Sequence, residues 1–341
     1  MPQKLDPPVS SYALIIDVIR SSYTLPALLA ADQAGLFAAL ADAPASSDEV
    51  AQRFGISERS AAALLGVLAA RGFLAQAGGK FHLLDVSKEF LLPRSPFYCG
   101  GWLNLCRSQS VNHEMMYGAI FEEKLAFTEL LDADNWESEP DVGKLRMFTA
   151  AIHAVSFAAA TAVALHGDFA GVKRLLDVAG GSGCFCIALG LRYPAMELTV
   201  MELPGVCEII PEYTAPWGLA DRIGTLGADM FRDDWPSGYD AHFLSNVFHD
   251  WGPERCRALA RSSFDALPSG GRIYLHEELA NDTHDGPLPT MLYSMIMLAW
   301  TRGGRQYSFA EFDEILTGAG FENVRVSYTY GRFSLVVADK P

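Results

Sequence analysis

From residue 172 onward the chain alternates short apolar runs with helical segments, and that pattern leaves room for little but a parallel sheet covered by helices. "VKRLLDVA" predicts a buried first strand, and "CFCIALGLRYP" predicts its following helix, ending at Pro194. "ELTVMEL", "RIGTLGAD", "YDAHFLSNVF" and "GRIYLHEEL" predict four further strands. "NVRVSYTY" and "FSLVVADKP", joined by a tight Gly-Arg turn, predict a closing antiparallel hairpin. Such a hairpin is unusual for a dinucleotide-binding sheet. The fold class expected is α/β, Rossmann-like, with that C-terminal hairpin.

The first third of the chain has a different grammar. Residues 11–110 carry apolar residues at helical spacing, interrupted by Pro26 and Gly35. Ser46-x-x-Glu49 reads as a capping box for a helix that stops at Gly55. Ser57 caps the next helix, whose Ala61, Leu64, Leu65 and Leu68 share a face and which ends at Gly72. "FLAQAGGKFHLL" then predicts a hairpin around Gly78-Gly79. Two helices followed by a hairpin is a winged-helix pattern, a class that includes DNA readers. The second helix argues against that use, since Arg59 and Arg71 are its only cations. An apolar helix there suits packing against another subunit. Residues 100–170 predict further helices around an acidic segment at 130–143. The domain division expected is 1–105, helical and winged-helix, and 106–341, catalytic.

Charge sharpens the exclusions. The chain has 26 basic and 41 acidic side chains, a formal charge of −15, so neither nucleic acid nor an anionic membrane is an expected partner. Residues 1–110 carry 9 of each sign, which puts the acidic surplus entirely in the remainder. The N-terminus "MPQKLDPPVSS" has no export pattern, and the apolar stretches 23–40 and 147–165 read as buried helices rather than membrane spans. Six cysteines lack any metal-clip or disulfide spacing, so reduced thiols in a cytoplasmic protein and no metal site are expected.

"LLDVAGGSG" places Asp177 at the end of the first strand and Ala179, Gly180, Gly181 and Gly183 in the turn before a helix. Such a turn lets a ligand approach the backbone and the free N–H groups of the helix. A G-x-G-x-x-G reading fails, because Cys186 stands in the third position. Asp177 would repel a pyrophosphate and suits a cationic ligand end. S-adenosylmethionine (SAM) has one, with an ammonium and a sulfonium beside a ribose and an adenine. Glu202, ending the second strand, can accept both ribose hydroxyls; Asp229 and Met230, after the third, can meet the adenine amino group and ring. Arg146 is a candidate partner for the SAM carboxylate.

These motifs, "DVAGGSG" (177–183), "ELPGV" (202–206), "GADMF" (227–231), "NVFHDW" (246–251) and "AGFENV" (319–324), give the chain a resemblance. It resembles the SAM-dependent O-methyltransferases of the plant caffeic-acid type and their bacterial small-molecule relatives, over nearly its whole length. The resemblance implies a homodimer formed through the N-terminal domain. It also implies SAM contacts from the 179–183 turn, Glu202, Asp229, Met230 and Ser245, with His249 as general base. The family's turn begins with glycine where this chain has Ala179, a change expected to be tolerated at φ below zero. One of the two acids that flank the family's histidine matches Glu277; Gln306 stands in place of the other.

A neutral imidazole within reach of a phenol can take its proton, provided that its other nitrogen is tied to an acceptor. Glu277 is the expected acceptor, and the Gln306 carbonyl a second one that adds no charge, so His249 is expected to be a weaker base than in the plant enzymes. Asp250 is expected to cap the helix that follows, and Trp251 to wall the adenine side. Phe148, His153, Met291 and Met295 are candidates to line the acceptor cavity, the two methionines by i, i+4 spacing with Leu298 beyond them. The reaction expected is methyl transfer from SAM to a hydroxyl of a small aromatic metabolite. Two alternatives stay open: carbon or nitrogen methylation of a pigment or heteroaromatic ring, and a non-catalytic winged-helix ligand-binding regulator.

Overall fold

The computed structural model of the chain describes residues 8–109, 111–126 and 142–341. The acidic segment at 130–143 lies outside the described residues except for its last two. The chain divides into two compact units, Met1–Leu103 and Asn104–Pro341.

The first unit strings helices Ala13–Ser21, Thr24–Gln33, Leu36–Asp42, Ser47–Phe54 and Glu58–Ala70 ahead of an antiparallel pair, β1 (Leu74–Ala77) and β2 (Lys80–Leu83). The Ser46/Glu49 capping box forms as its spacing predicts, and Gly55 ends that helix at φ +65°. Ala61, Leu65 and Leu68 are buried against Phe37, Leu40 and Phe81, while Leu64 is only half-buried. The expectation that residues 23–40 form buried helices holds only for the second half. Leu36, Phe37, Ala39 and Leu40 are buried, but Thr24–Gln33 buries Ala31 alone and Ala13–Ser21 buries nothing. The stretches 13–33 and 142–166 are each long and apolar enough to cross a bilayer. The second hides ten of its residues inside the fold.

The second unit is built on a seven-stranded sheet. Its strands are β3 (Arg174–Val178), β4 (Glu197–Glu202), β5 (Ile223–Gly227), β6 (Ala241–Ser245), β7 (Arg272–Glu278), β8 (Glu322–Tyr330) and β9 (Phe333–Asp339). They lie in the order β5-β4-β3-β6-β7-β9-β8, parallel except for β9, which runs antiparallel to both of its neighbours. Leu175, Leu176, Val178, Phe243 and Leu244 are fully buried because helices cover both faces. The long helix Val142–His166 packs on the helix Cys184–Arg192 through small side chains, with Ala158, Ala159 and Ala160 buried. Strand order reverses between β3 and β6, which opens a crevice at their carboxyl ends, the place where ligands of open α/β sheets bind.

Candidate active site

The turn after β3 is shaped for a ligand. Gly181 and Gly183 take φ values of +56° and +72°, and Gly183 starts the helix Cys184–Arg192. A Cβ on Gly180 would lie 2.6 Å from the Asp177 carboxyl carbon, so only glycine fits above that group. Ala179 departs from expectation. Its φ is +53°, in the left-handed region, where an alanine methyl crowds the backbone. Asp177 is 1 % exposed; one carboxyl oxygen meets the Cys186 thiol at 3.6 Å and the other has no partner among the described residues. Burial pushes this carboxyl up to about 7, against the thiol's hydrogen bond, and nearby Glu202 adds to the rise. A buried carboxylate with an idle oxygen beside an open turn is a receptor for a cation.

The neighbouring strand ends supply the other sequence candidates. Glu202 ends β4, accepts from the Leu203 amide, and is pushed up to about 7 by burial, in spite of that bond. Asp229 sits after β5 and accepts from the Phe231 amide at 2.8 Å, while the Met230 carbonyl takes the Trp235 indole N–H at 2.9 Å. Ser245 ends β6, its hydroxyl 3.0 Å from Nδ1 of His276. Trp251 packs edge-on against Phe231, 4.7 Å between ring centroids, on the side of the Asp229–Met230 loop. Arg146 is held by Glu212, both half-exposed. His153 points to the glycine turn: its Nδ1 is 2.8 Å from the Ser182 hydroxyl, its ring stacks on Phe157, and burial drives it down to about 4.

His249 lies in a single 3₁₀ turn, Phe248–Asp250, and is 3 % exposed. Glu277, at 1 % exposure, organises it. One carboxyl oxygen accepts from the Val247 and Phe248 amides, each at 2.9 Å, and the other lies 2.6 Å from His249 Nδ1. That pairing fixes the ring and directs Nε2 away from the sheet. Around Nε2 stand the Asp250 carboxylate and the Tyr293 hydroxyl, both at 3.5 Å. Burial alone would lower the imidazole, but Glu277 and Asp250 outweigh it, Glu278 assists, and His249 is pushed up to about 9. Burial raises Asp250 itself to about 6, against the pull of His249.

Three expectations are thereby corrected. Asp250 does not cap the next helix; Gly252 occupies the cap position without a side-chain bond, and Asp250 faces the imidazole. Gln306 does not bond His249: it is 1 % exposed and both of its side-chain amide atoms lack partners among the described residues, although its backbone N–H reaches Ser294 Oγ at 3.1 Å. Negative charge beside Nε2 comes instead from Asp250, which together with Glu277 raises the imidazole. The methionine stripe also differs from its reading. Met295 and Leu298 are exposed and Met291 is half-buried, whereas Met297 and Trp300 turn inward. Phe148 is half-buried on the long helix. Tyr293 and Cys186 were missed by motif, while Ser182 falls within the 179–183 turn; the spacing 293, 297, 300 marks the inward face of the helix Leu288–Trp300.

A glycine turn with an idle buried acid at the switch point, and a carboxylate-held histidine on the next strand's loop, define a nucleotide-type binding fold equipped to move a proton. Comparison with known proteins makes this specific. Residues 118–322 match the family described as the O-methyltransferase domain, and the chain belongs to that family. It is similar to a 3-hydroxy-5-methyl-1-naphthoate 3-O-methyltransferase of Streptomyces sahachiroi, 35 % identical over 92 % of this chain and 90 % of that one. It is also similar to an L-tyrosine C(3)-methyltransferase of Streptomyces lavendulae, 37 % identical over 45 % of this chain and 42 % of that one. Among solved structures, PigF with SAH shares 26 % identity at a TM-score of 0.77, covering 97 % of this chain and all of that one. The enzyme is a SAM-dependent methyltransferase.

Proposed function

We propose that the enzyme methylates a hydroxyl group of a small aromatic acceptor, with His249 as the base. The observation that carries this reading is the 2.6 Å pairing of Glu277 with His249 Nδ1, which leaves Nε2 free of that carboxylate, between Asp250 and Tyr293. SAM, when bound, supplies an electrophilic methyl on a cationic sulfur. Asp177 and the turn Ala179, Gly180 and Gly181 would hold its cationic end, and Glu202, Ser245, Asp229, Met230 and Trp251 its nucleoside. The idle oxygen of Asp177 and the open space beside Gly181 fit that group. Arg146 is better assigned to Glu212 than to the cofactor, and His153 to holding Ser182 in the glycine turn.

A phenol with a pKa of about 10 is mostly protonated at neutral pH, and a positioned base is worth about 10²–10⁴-fold in rate. The raised imidazole can act as a base only in its neutral form, so turnover is expected to climb with pH toward its value of about 9. In that form Glu277 holds the ring through Nδ1, and Asp250 stabilises the imidazolium that forms when Nε2 takes the proton. The half-buried Phe148 and Met291 would contribute apolar wall to the acceptor cavity. Six free cysteines support a reducing, cytoplasmic setting, and the bare apolar helix Ala13–Ser21 supports a homodimer formed through the N-terminal unit.

Incubation with methyl-labelled SAM and a panel of phenols, followed by mass spectrometry, tests the reading. O-methylated product is expected from the wild type, and at most about a hundredth of that rate from His249→Ala. Undiminished turnover by the variant would remove His249 from the mechanism. The C(3)-methyltransferase relative favours a second reading, methylation of a ring carbon, which the position of the label distinguishes.

A further inference from the structure

The proton-accepting face of His249 has a neighbour that the methyltransferase motifs do not include. Tyr293 projects from the helix Leu288–Trp300, its ring centroid 5.1 Å from the imidazole and tilted by 57°. Its hydroxyl lies 3.5 Å from Nε2, too long for a strong hydrogen bond and too short for another heavy atom to lie directly between. The next residue anchors this turn of the helix, since the Ser294 hydroxyl accepts the Gln306 amide N–H at 3.1 Å. Tyr293 stays a neutral phenol, because burial and the carboxylates of Asp250, Glu277 and Glu278 all disfavour its anion. A neutral phenol beside the base has one proton to offer.

A separation of 3.5 Å has a geometric consequence. One oxygen atom placed beside the pair can lie about 2.8 Å from both Nε2 and the tyrosine hydroxyl, which is an ordinary hydrogen-bond length to each. We propose that Tyr293 donates a hydrogen bond to the acceptor's reacting oxygen while Nε2 takes that oxygen's proton, so that Tyr293 selects hydroxyl acceptors over carbon ones. The inference rests on the O-methylation reading above. As the O–H bond breaks, its proton passes to Nε2 and its electron pair stays on oxygen. The oxygen then holds three lone pairs: one faces the new imidazolium N–H, one accepts from Tyr293, and the third is free to form the bond to the methyl carbon, whose bond to the sulfonium sulfur would break with its electron pair left on a neutral thioether. An aromatic carbon has no lone pair for Tyr293, and a ring nitrogen needs its single pair for the methyl.

The test is Tyr293→Phe, which removes one oxygen atom and keeps the ring. On a phenol that the wild type methylates, kcat is expected to fall about ten- to hundredfold, KM to change by less than about threefold, and SAM affinity by calorimetry to stay unchanged. The loss should be greatest for the least acidic phenols of a substituted series, whose anions accept the strongest hydrogen bonds. A purely structural tyrosine would give the same loss across the series, and that uniform result overturns the inference. So does a variant with wild-type kcat. Should the wild type methylate only carbon or nitrogen, the O-methylation reading falls together with the inference. A uniform loss or no loss in Tyr293→Phe, while the wild type makes O-methyl product, overturns the inference alone, and thermal melting of both proteins separates a folding defect from either outcome.

Discussion

At φ +53° Ala179 holds a conformation that costs an L-residue about 1–2 kcal/mol and glycine almost nothing. Its amide still donates to Met201 at 2.8 Å, so the strain is retained in exchange for a fixed turn. Ala179→Gly is expected to stabilise the protein by about 0.5–1 kcal/mol, after the entropy that glycine adds to the unfolded chain. Thermal denaturation should register this as a rise of about 1–2 °C. A second expectation concerns Asp177 and Glu202, both raised to about 7. A cation favours the ionised form of Asp177, so its pKa drops on binding and a proton is released. SAM affinity should therefore fall as pH drops below 7 and level off above it. Calorimetry at pH 6.5 in buffers of different ionisation enthalpy should give different apparent heats, and identical heats would refute the coupling.

The strands were legible because each buried parallel strand is an unbroken apolar run ended by an acid or small residue, as in "LLDVA" and "AHFLS". Asp177 and Glu202 follow directly from that pattern, whereas Ser245 and Glu277 were picked out by the family resemblance. What lies between strands was less legible. Asp250 reads as a cap from its place before "GPERC", but the 3₁₀ turn at Phe248–Asp250 rotates it toward the imidazole, and no sequence period encodes a three-residue turn. On Leu288–Trp300 the stripe Met291, Met295, Leu298 was the eye-catching one. Tyr293 lies two residues further, about 200° around the helix, on the face that meets His249. The connection from this helix to the next also shapes the site. A Cβ on Gly304 would collide with the Thr301 hydroxyl and with the His249 carbonyl oxygen, and the second cannot yield without shifting the 3₁₀ turn. Gly304→Ala is expected to reduce kcat at least about tenfold by moving the base, with SAM affinity within about twofold of wild type. Equal loss of both would locate the damage in global folding instead.

At the scale of the whole molecule, the N-terminal unit exposes what a lone protein usually hides. Leu14, Ile15, Val18 and Ile19, at 54–76 % exposure, make a continuous apolar face on Ala13–Ser21. Light scattering is expected to report a dimer for the wild type and a monomer for the double variant Ile15→Glu, Val18→Glu; a dimeric variant would exclude this helix from the interface.

The placement of β9 bears on how the protein is made. A ribosome releases β8 before β9, yet in the sheet β9 lies between β7 and β8. Until β9 docks, β8 has no strand to join and the edge of β7 stays open. During that interval Leu275, later fully buried, belongs to an unfinished edge, which favours pairing with another nascent chain over correct closure. Slow docking of β9 would prolong the interval, so substitutions that weaken its pairing with β7 should lower soluble yield.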